Sequence, residues 1–369
     1  MTIGTNARAE DVCNPNRRVN DPKQCMVSKS PLVGSLAGSV PTNALAIVYG
    51  IPHGGIVADK LPQAACGKAS SPVIPPSSPG FPGNNDRDTN RIVEACQAAG
   101  VKKLDIMVIT HYDLDHVNNA PSVVSKIPVD LFIDHGPAAV TDRGTTAAVK
   151  AYDELWPKAK HMVAKPGDKI PFKGVDVMVV ASAGQSLKTP LKGAGKPNAA
   201  CAATEAKTWG RSNEDTSENG NSLALLFTYG KFRMLDMGDL SWNREMQLMC
   251  PNNPIGTVDL FRVGNHGSDV SSSPALVNGV HPRLIVMDNG ARKFGAASVM
   301  QTLKAAPGLQ ALYLMHWSAN APNDNPPDEF IANLQDSPDG KWLKISADQN
   351  AAITVSNART GESKTYKRK

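Results

Sequence analysis

The chain has no CxxC pair. Its six cysteines stand apart at positions 13, 25, 66, 96, 201 and 250, which excludes a cysteine-built zinc ribbon. No apolar run approaches the roughly 18 residues that a membrane-spanning helix needs, so no membrane span is expected. Dense basic runs are missing too. The terminal Lys364-Thr365-Tyr366-Lys367-Arg368-Lys369 reads as a solvated tail, and a nucleic-acid partner is open but not indicated. No repeat of solenoid period is visible. What remains is an ordinary globular composition, 41% apolar and 20% charged, over 369 residues, enough for one large α/β domain or two smaller ones. Lys and Arg exceed Asp and Glu by 39 to 34, a formal +5 that mildly favours anionic substrates. Cys201 and Cys250 both lie in loop-like sequence near Asn and Pro; they are either a disulfide of an oxidising compartment or two free thiols.

Against these absences one segment stands out. Leu104-Asp105-Ile106-Met107-Val108-Ile109-Thr110 is short, apolar and rich in branched residues, and reads as a buried strand. It empties into His111-Tyr112-Asp113-Leu114-Asp115-His116, four potential metal ligands in six residues. Mixed imidazole and carboxylate donors at a strand end suit zinc, manganese or iron.

This motif resembles the His-x-His-x-Asp-His signature of the metallo-β-lactamase fold superfamily, in the His-x-Asp-x-Asp-His form of its ComEC-like competence hydrolase branch. Asn221-Ser222-Leu223, Met237-Gly238-Asp239-Leu240 and Val263-Gly264-Asn265-His266-Gly267-Ser268 resemble later motifs of that family, in the same order. The resemblance runs from about residue 82 to 357 and implies an αββα sandwich. It also implies a two-metal site, with two zinc ions or manganese in their place. His111 and Asp113 would hold the first ion, Asp115 and His116 the second. Asp239 would bridge, and His266 would complete the second site. A metal-bound hydroxide would then be the nucleophile. Asp115, His135 and His316 are the catalytic candidates, His135 and His316 because each ends an apolar strand. The family turn usually carries two adjacent His, and Asn265 replaces the first; if that first His is the ligand, the second site is impaired.

Residues 1–81 form an irregular N-terminal segment, and 82–369 the hydrolase-like domain. The family's N-terminal hairpin is not found in the sequence, so it is missing or replaced. A weak signal-like stretch runs from Met26 to Ala46, which leaves the chain either periplasmic or secreted, or cytoplasmic. Asp86 or Asp88 can cap a helix to Ala99. Helices are expected over 117–126, 143–157, 274–278, 296–305 and 327–335. Strands are expected over 129–134, 174–180, 258–263, 283–288, 311–315 and 353–356, with a hairpin of 222–228 and 231–237. Residues 182–220 read as a long surface loop near the site. Ser268 and Ser271–Ser273 either contact a phosphate or form a plain polar loop. Asn219 and Ser222 either line the site or cap a strand end. His161 and His281 read as surface residues.

The expected activity is a metal-dependent hydrolase of a phosphodiester or related ester. Hydrolysis of a lactam, lactone or thioester on the same site is the alternative, and a non-catalytic metal-binding descendant is another. The expected partner is a small-molecule or phosphodiester substrate; oligomeric state is open.

Overall fold

The structure, a computed structural model, describes residues 45–49, 56–60, 63–65, 89–93, 96, 101–139, 143–172, 174–335 and 340–368. The signal-like stretch up to residue 44, Asp86, Asp88 and part of the helix expected after them lie outside those residues; residues 89–93 and 96 are helical.

Three strands, β1 (Leu45–Tyr49), β2 (Ile56–Lys60) and β3 (Gln63–Ala65), come first, where the sequence shows no recognisable hairpin. The buried pair β4 (Met107–Val108), β5 (Leu131–Asp134) and β6 (Lys160–Val163) form a parallel three-stranded sheet. Between them lie the short helices α1 (Leu114–Val117) and α2 (Ala120–Lys126), and α3 (Arg143–Asp153).

A larger sheet follows from β7 (Lys169–Ile170), β8 (Asp176–Ser182), β9 (Gln185–Ser186), β10 (Ala224–Tyr229), β11 (Phe232–Asp236), β12 (Leu260–Arg262), β13 (Leu284–Met287), β14 (Ala311–His316) and β15 (Ile331–Asn333). Its order is β15-β14-β13-β12-β11-β10-β8-β7, with β9 on β8. Helices α4 (Trp242–Met249), α5 (Pro274–Val280) and α6 (Ala297–Lys304) connect its parallel strands. Near the C-terminus β16 (Leu343–Ala347), β17 (Ile353–Asn357) and β18 (Glu362–Tyr366) form an antiparallel meander, and β1 pairs with β16 from Leu45↔Ala347 to Tyr49↔Leu343.

Three buried clusters define the layers. Val177, Val179, Leu225, Phe227, Met234 and Val286 of the large sheet pack against Ile345, Ile353 and Val355 of the meander and Val108 and Ile133 of the parallel sheet. Outside the large sheet, Phe261, Ile285 and Leu314 meet Leu248, Leu276, Val277 and Met300 of the helices. On the opposite outer face Met107 and Phe132 meet Val117, Val123 and Tyr152. Helix, sheet, sheet and helix follow one another, the αββα layering expected from the motifs.

One expected element is overturned. Residues 327–335 form a 3-10 turn, Asp328–Phe330, and then strand β15 rather than a helix. Pairing of Ile331 with Leu314 buries Ile331 and Ala332 on the sheet edge, and that burial outweighs a weak helical pattern. Strands β16 and β18 were not among the expected elements, although Leu343-Lys344-Ile345-Ser346-Ala347 alternates cleanly.

The topology fixes where chemistry can occur. Strands β11 through β15 all run parallel, so the segments after them emerge at one edge. Carboxyl ends of parallel strands are where ligand sites collect in α/β sheets. Among the described residues no helix is long and apolar enough to cross a membrane.

Candidate metal centre

The strand ending at Val108 delivers Thr110 and His111 to the sheet edge, and Asp113 precedes helix α1. Thr110 Oγ1 lies 3.3 Å from His111 Nδ1 and 3.4 Å from His116 Nδ1. One hydroxyl therefore orients both rings, which stand 3.9 Å apart, and turns both Nε2 atoms inward. They meet the carboxylate of Asp239, whose Oδ2 lies 3.9 Å from His111 Nε2 and 3.3 Å from His116 Nε2.

Asp239 is positioned by the turn after β11. The Gly238 N–H donates to Asp236 Oδ1 (2.9 Å), and the Asp239 N–H donates to Ser222 Oγ (3.2 Å). Gly238 has φ +56°, and a Cβ there would sit 3.2 Å from the Leu223 carbonyl, the Ser222 Cβ and the Thr110 Cβ. Glycine thus supplies both the left-handed backbone and the close approach.

The turn after β12 brings the third imidazole. His266 Nε2 is 3.4 Å from Asp239 Oδ2 and 3.8 Å from Asp115 Oδ2. Both Asn265 (φ 45°, ψ 42°) and His266 (φ 51°, ψ 23°) are left-handed, a conformation that costs roughly 1 kcal/mol or more for each such residue. The Asn265 N–H donates to the Gly238 carbonyl and helps hold the strained turn. His266 faces the cluster. His266 Nδ1 lies 3.2 Å from the Asp288 carbonyl and 3.4 Å from Asp288 Oδ2, so the ring is held from behind by the end of β13.

Two overlapping groups result: His111, His116 and Asp239, and Asp115, His116 and His266, with the donor atoms of each within 4.8 Å of one another. Asp113, 3.8 Å from His111 Nε2, sits at the rim with 42% of its side chain exposed. His135 and His316 stand outside both groups. His135 Nε2 pairs instead with Glu218 Oε1 at 2.6 Å. His316 is buried at the end of β14, where Asn289 holds its backbone N–H and carbonyl.

Behind the cluster lies a charge network that the sequence did not announce. Buried Arg262 reaches Asp288 (2.5 Å), Asp236 (3.5 Å) and Asp239 (3.9 Å) and donates to the Gly238 carbonyl (2.9 Å). Its signal was present only as a charged residue ending an apolar strand, with Asp288 in the same place on the next strand. Glu218 was missed for a different reason, since it lies in polar loop sequence. Its carboxylate accepts from the backbone N–H groups of Tyr112 and Ala139 as well as facing His135, so the 182–220 loop is pinned to the motif. Burial works to raise the Glu218 carboxyl, but His135 and these donors hold it below its ordinary value.

His161 departs from its expected surface role: it is half-buried, stacked on Trp156 at 3.9 Å, and 2.7 Å from Asp134 Oδ2. Buried Asp134 needs donors, and Tyr152 and His161 supply them. His281 is exposed, as expected. Two of the serines are engaged internally: Ser271 Oγ donates to the carbonyls of Gly264 and Ser268, and Ser273 caps α5. Cys201 and Cys250 form a disulfide.

The donor set fits a metal. Two donors about 2.1 Å from one tetrahedral ion stand roughly 3.4 Å apart, and the Nε2–Oδ2 separations run from 3.3 to 3.9 Å. Buried His116 Nε2, His266 Nε2 and Asp239 Oδ1 make no hydrogen bond. The electrostatics agree. Burial lowers the affinity of His266 for a proton, yet Asp239 and Asp288 push it up to about 10. Burial would raise the Asp239 carboxyl, but His266 and His116 hold it well below the carboxylate range. Burial and the Asp115 charge push Asp113 up to about 6. A pocket that binds protons this tightly to balance its carboxylates is one that a cation can fill in their place.

No family model and no curated protein matches this chain. Solved structures do show likeness. A variant of the β-hydroxylase CmlA aligns at 12% identity and a TM-score of 0.42, over 76% of this chain and 54% of its own. A protein from Parabacteroides distasonis described as a metal-dependent hydrolase aligns at 13% identity and 0.40, over 73% and 92%. A diphosphatase of the PhnP family aligns at 13% and 0.34, over 82% and 96%. The chain spans about half the length of the first of these. Likeness of this degree carries no weight for chemistry, which rests on the residues themselves.

Proposed function

We propose that this chain is a metal-dependent hydrolase that cleaves a phosphodiester or related ester with the help of two divalent cations. His111, Asp113, Asp115, His116, Asp239 and His266 would hold them. The observation that carries the reading is Asp239 Oδ2, buried within 3.3 to 3.9 Å of three imidazole Nε2 atoms from two different motifs. Charge supports two ions. Asp113, Asp115, Asp236, Asp239 and Asp288 carry five formal negative charges against the one positive charge of Arg262, an excess of four that two divalent cations neutralise. The oxygen-rich donor set, with Asp113 in a ComEC-like motif, suits manganese as well as zinc. Bound there, such ions lower the pKa of water and polarise the ester oxygens.

The chain's own residues do the rest. Thr110 and Asp288 orient the imidazoles, and Arg262 keeps the Asp288 carboxylate ionised. Asp115, with 20% of its side chain exposed and Oδ2 3.8 Å from His266, reaches both the cluster and the solvent. The Cys201–Cys250 bridge supports a location in an oxidising compartment.

The test is metal analysis of the purified protein with His111→Ala and Asp239→Ala as controls, together with turnover of bis-p-nitrophenyl phosphate and nitrocefin in added zinc or manganese. Two ions per chain, lost in both variants, with phosphodiester turnover, is the expected result. Stoichiometry unchanged in the variants would sink the site. Nitrocefin turnover alone would replace the substrate class with a lactam, and metal binding without any turnover would make the chain a non-catalytic descendant.

A further inference from the structure

Beyond β13 the chain runs Asp288-Asn289-Gly290-Ala291-Arg292-Lys293-Phe294-Gly295, and this loop is built with more restraint than a connection needs. Phe294 has φ +66°, a left-handed backbone that an aromatic residue adopts only when its surroundings impose it. Those surroundings are specific. The Ala319 N–H donates to the Ala291 carbonyl (2.8 Å), Asn320 Nδ2 donates to the carbonyls of Arg292 (3.2 Å) and Phe294 (2.7 Å), and Ser318 Oγ donates to that of Gly295 (2.8 Å). The Gly295 N–H in turn donates to the His266 carbonyl (3.2 Å), coupling the loop to the strained turn of the metal centre.

This backing aims the side chains toward the site. The Phe294 ring stacks on His266 at 5.2 Å and 23°. Lys293 Nζ sits 4.6 Å from the centre of the Phe294 ring, a cation–π contact that leaves one aromatic ring between the ammonium and His266. Arg292 and Lys293 are both exposed, and neither has an ion pair among the described residues. A cation with no carboxylate partner among the described residues, near a centre that two divalent ions would bring to neutrality, can take a substrate anion.

We propose that Lys293, seated on Phe294 and flanked by Arg292, binds a non-bridging anionic oxygen of a phosphate-ester substrate and so selects phosphate esters over neutral ones. This rests on the hydrolase reading for the scissile bond, but the anion site is separately measurable. Lys293 is a substrate-binding residue here; it holds no metal.

The test uses the full, zinc-loaded chain as wild type, Lys293→Ala, Lys293→Arg and Arg292→Ala/Lys293→Ala. Inorganic phosphate binding is measured by calorimetry, metal content by mass spectrometry, and kcat and KM with bis-p-nitrophenyl phosphate and the neutral p-nitrophenyl acetate. Lys293→Ala is expected to weaken phosphate binding about tenfold, the low end for one charge-assisted hydrogen bond. KM for the phosphodiester should rise by a similar factor with kcat within about twofold, KM for the neutral ester should hold, Lys293→Arg should restore binding, and metal content should not change. Equal phosphate affinity in wild type and double variant overturns the inference, as does an equal rise in KM for both esters or loss of metal from Lys293→Ala. Lys293-dependent phosphate binding in a wild type without turnover supports this inference and overturns the hydrolase reading. Turnover with Lys293-independent phosphate binding does the reverse.

Discussion

Replacing Arg262 by Met should destabilise the protein severely when metal is absent and much less when it is present. The guanidinium is fully buried, with Asp288 at 2.5 Å, Asp236 at 3.5 Å and Asp239 at 3.9 Å. Removing one partner of a buried charge pair costs about 3–5 kcal/mol, because the charges left behind have no solvent to turn to. Loss of the bond to the Gly238 carbonyl adds about 1 kcal/mol. A methionine fills much of the volume, so the cavity contribution is small. We therefore expect about 4 kcal/mol in chelated protein. At an m-value of roughly 3 kcal/mol/M this lowers the urea midpoint by more than about 1 M. Divalent ions in the cluster supply part of the missing positive charge, so the same substitution in zinc should cost at least about 1.4 kcal/mol less. Urea titrations of wild type and variant, in chelator and in excess zinc, give all four midpoints. Adding Asp288→Asn to Arg262→Met should recover stability, since it removes one of the stranded charges. A midpoint drop below about 0.3 M in chelator would refute the electrostatic account, and an identical drop with and without zinc would refute its coupling to the metal.

Glu245, buried in α4, accepts the backbone N–H groups of Ser272 and Ser273, and burial pushes its carboxyl up to about 7. A raised carboxyl binds its proton more tightly folded than unfolded. Its contribution is therefore complete below about 4.5 and lost as pH rises to 7, at most about 3 kcal/mol. Glu245→Gln should flatten the pH dependence of thermal stability between pH 5 and 7, and parallel curves would contradict this. The Cys201–Cys250 disulfide closes a loop of 49 residues, which by loop entropy is worth roughly 4 kcal/mol. Replacing both cysteines by alanine should lower the denaturation midpoint accordingly while leaving metal content intact, and metal loss would show that the bridge also shapes the site.

The candidate ligands were legible in the sequence as clustered His and Asp directly after a strand. His111, Asp115, His116, Asp239 and His266 do converge. The roles of His135 and His316 were not legible: both end apolar strands, and strand ends near a site look alike until their neighbours are known. Glu218, 83 residues downstream, is the partner of His135. Asn265 carried a doubt that sequence could not resolve. His266 reaches Asp239 from a turn of two successive left-handed residues, and no spacing rule reports a backbone dihedral.

The sequence by itself determined the layering and where the candidate ligands stand. Short apolar strands alternating with amphipathic helices dictate stacked sheets, and ligands placed directly after strands dictate a site at a sheet edge. Tertiary structure alone decided which charges meet. Arg262 ends β12 and Asp288 follows β13, neighbouring parallel strands whose register, Arg262↔Val286, exists only once they pair. The same holds for the loop of Phe294, whose ring stacks on His266 while Ser318 and Asn320 hold its backbone. Coulomb energies and hydrogen bonds depend on distance through space, and a linear sequence specifies that distance only through the fold it produces.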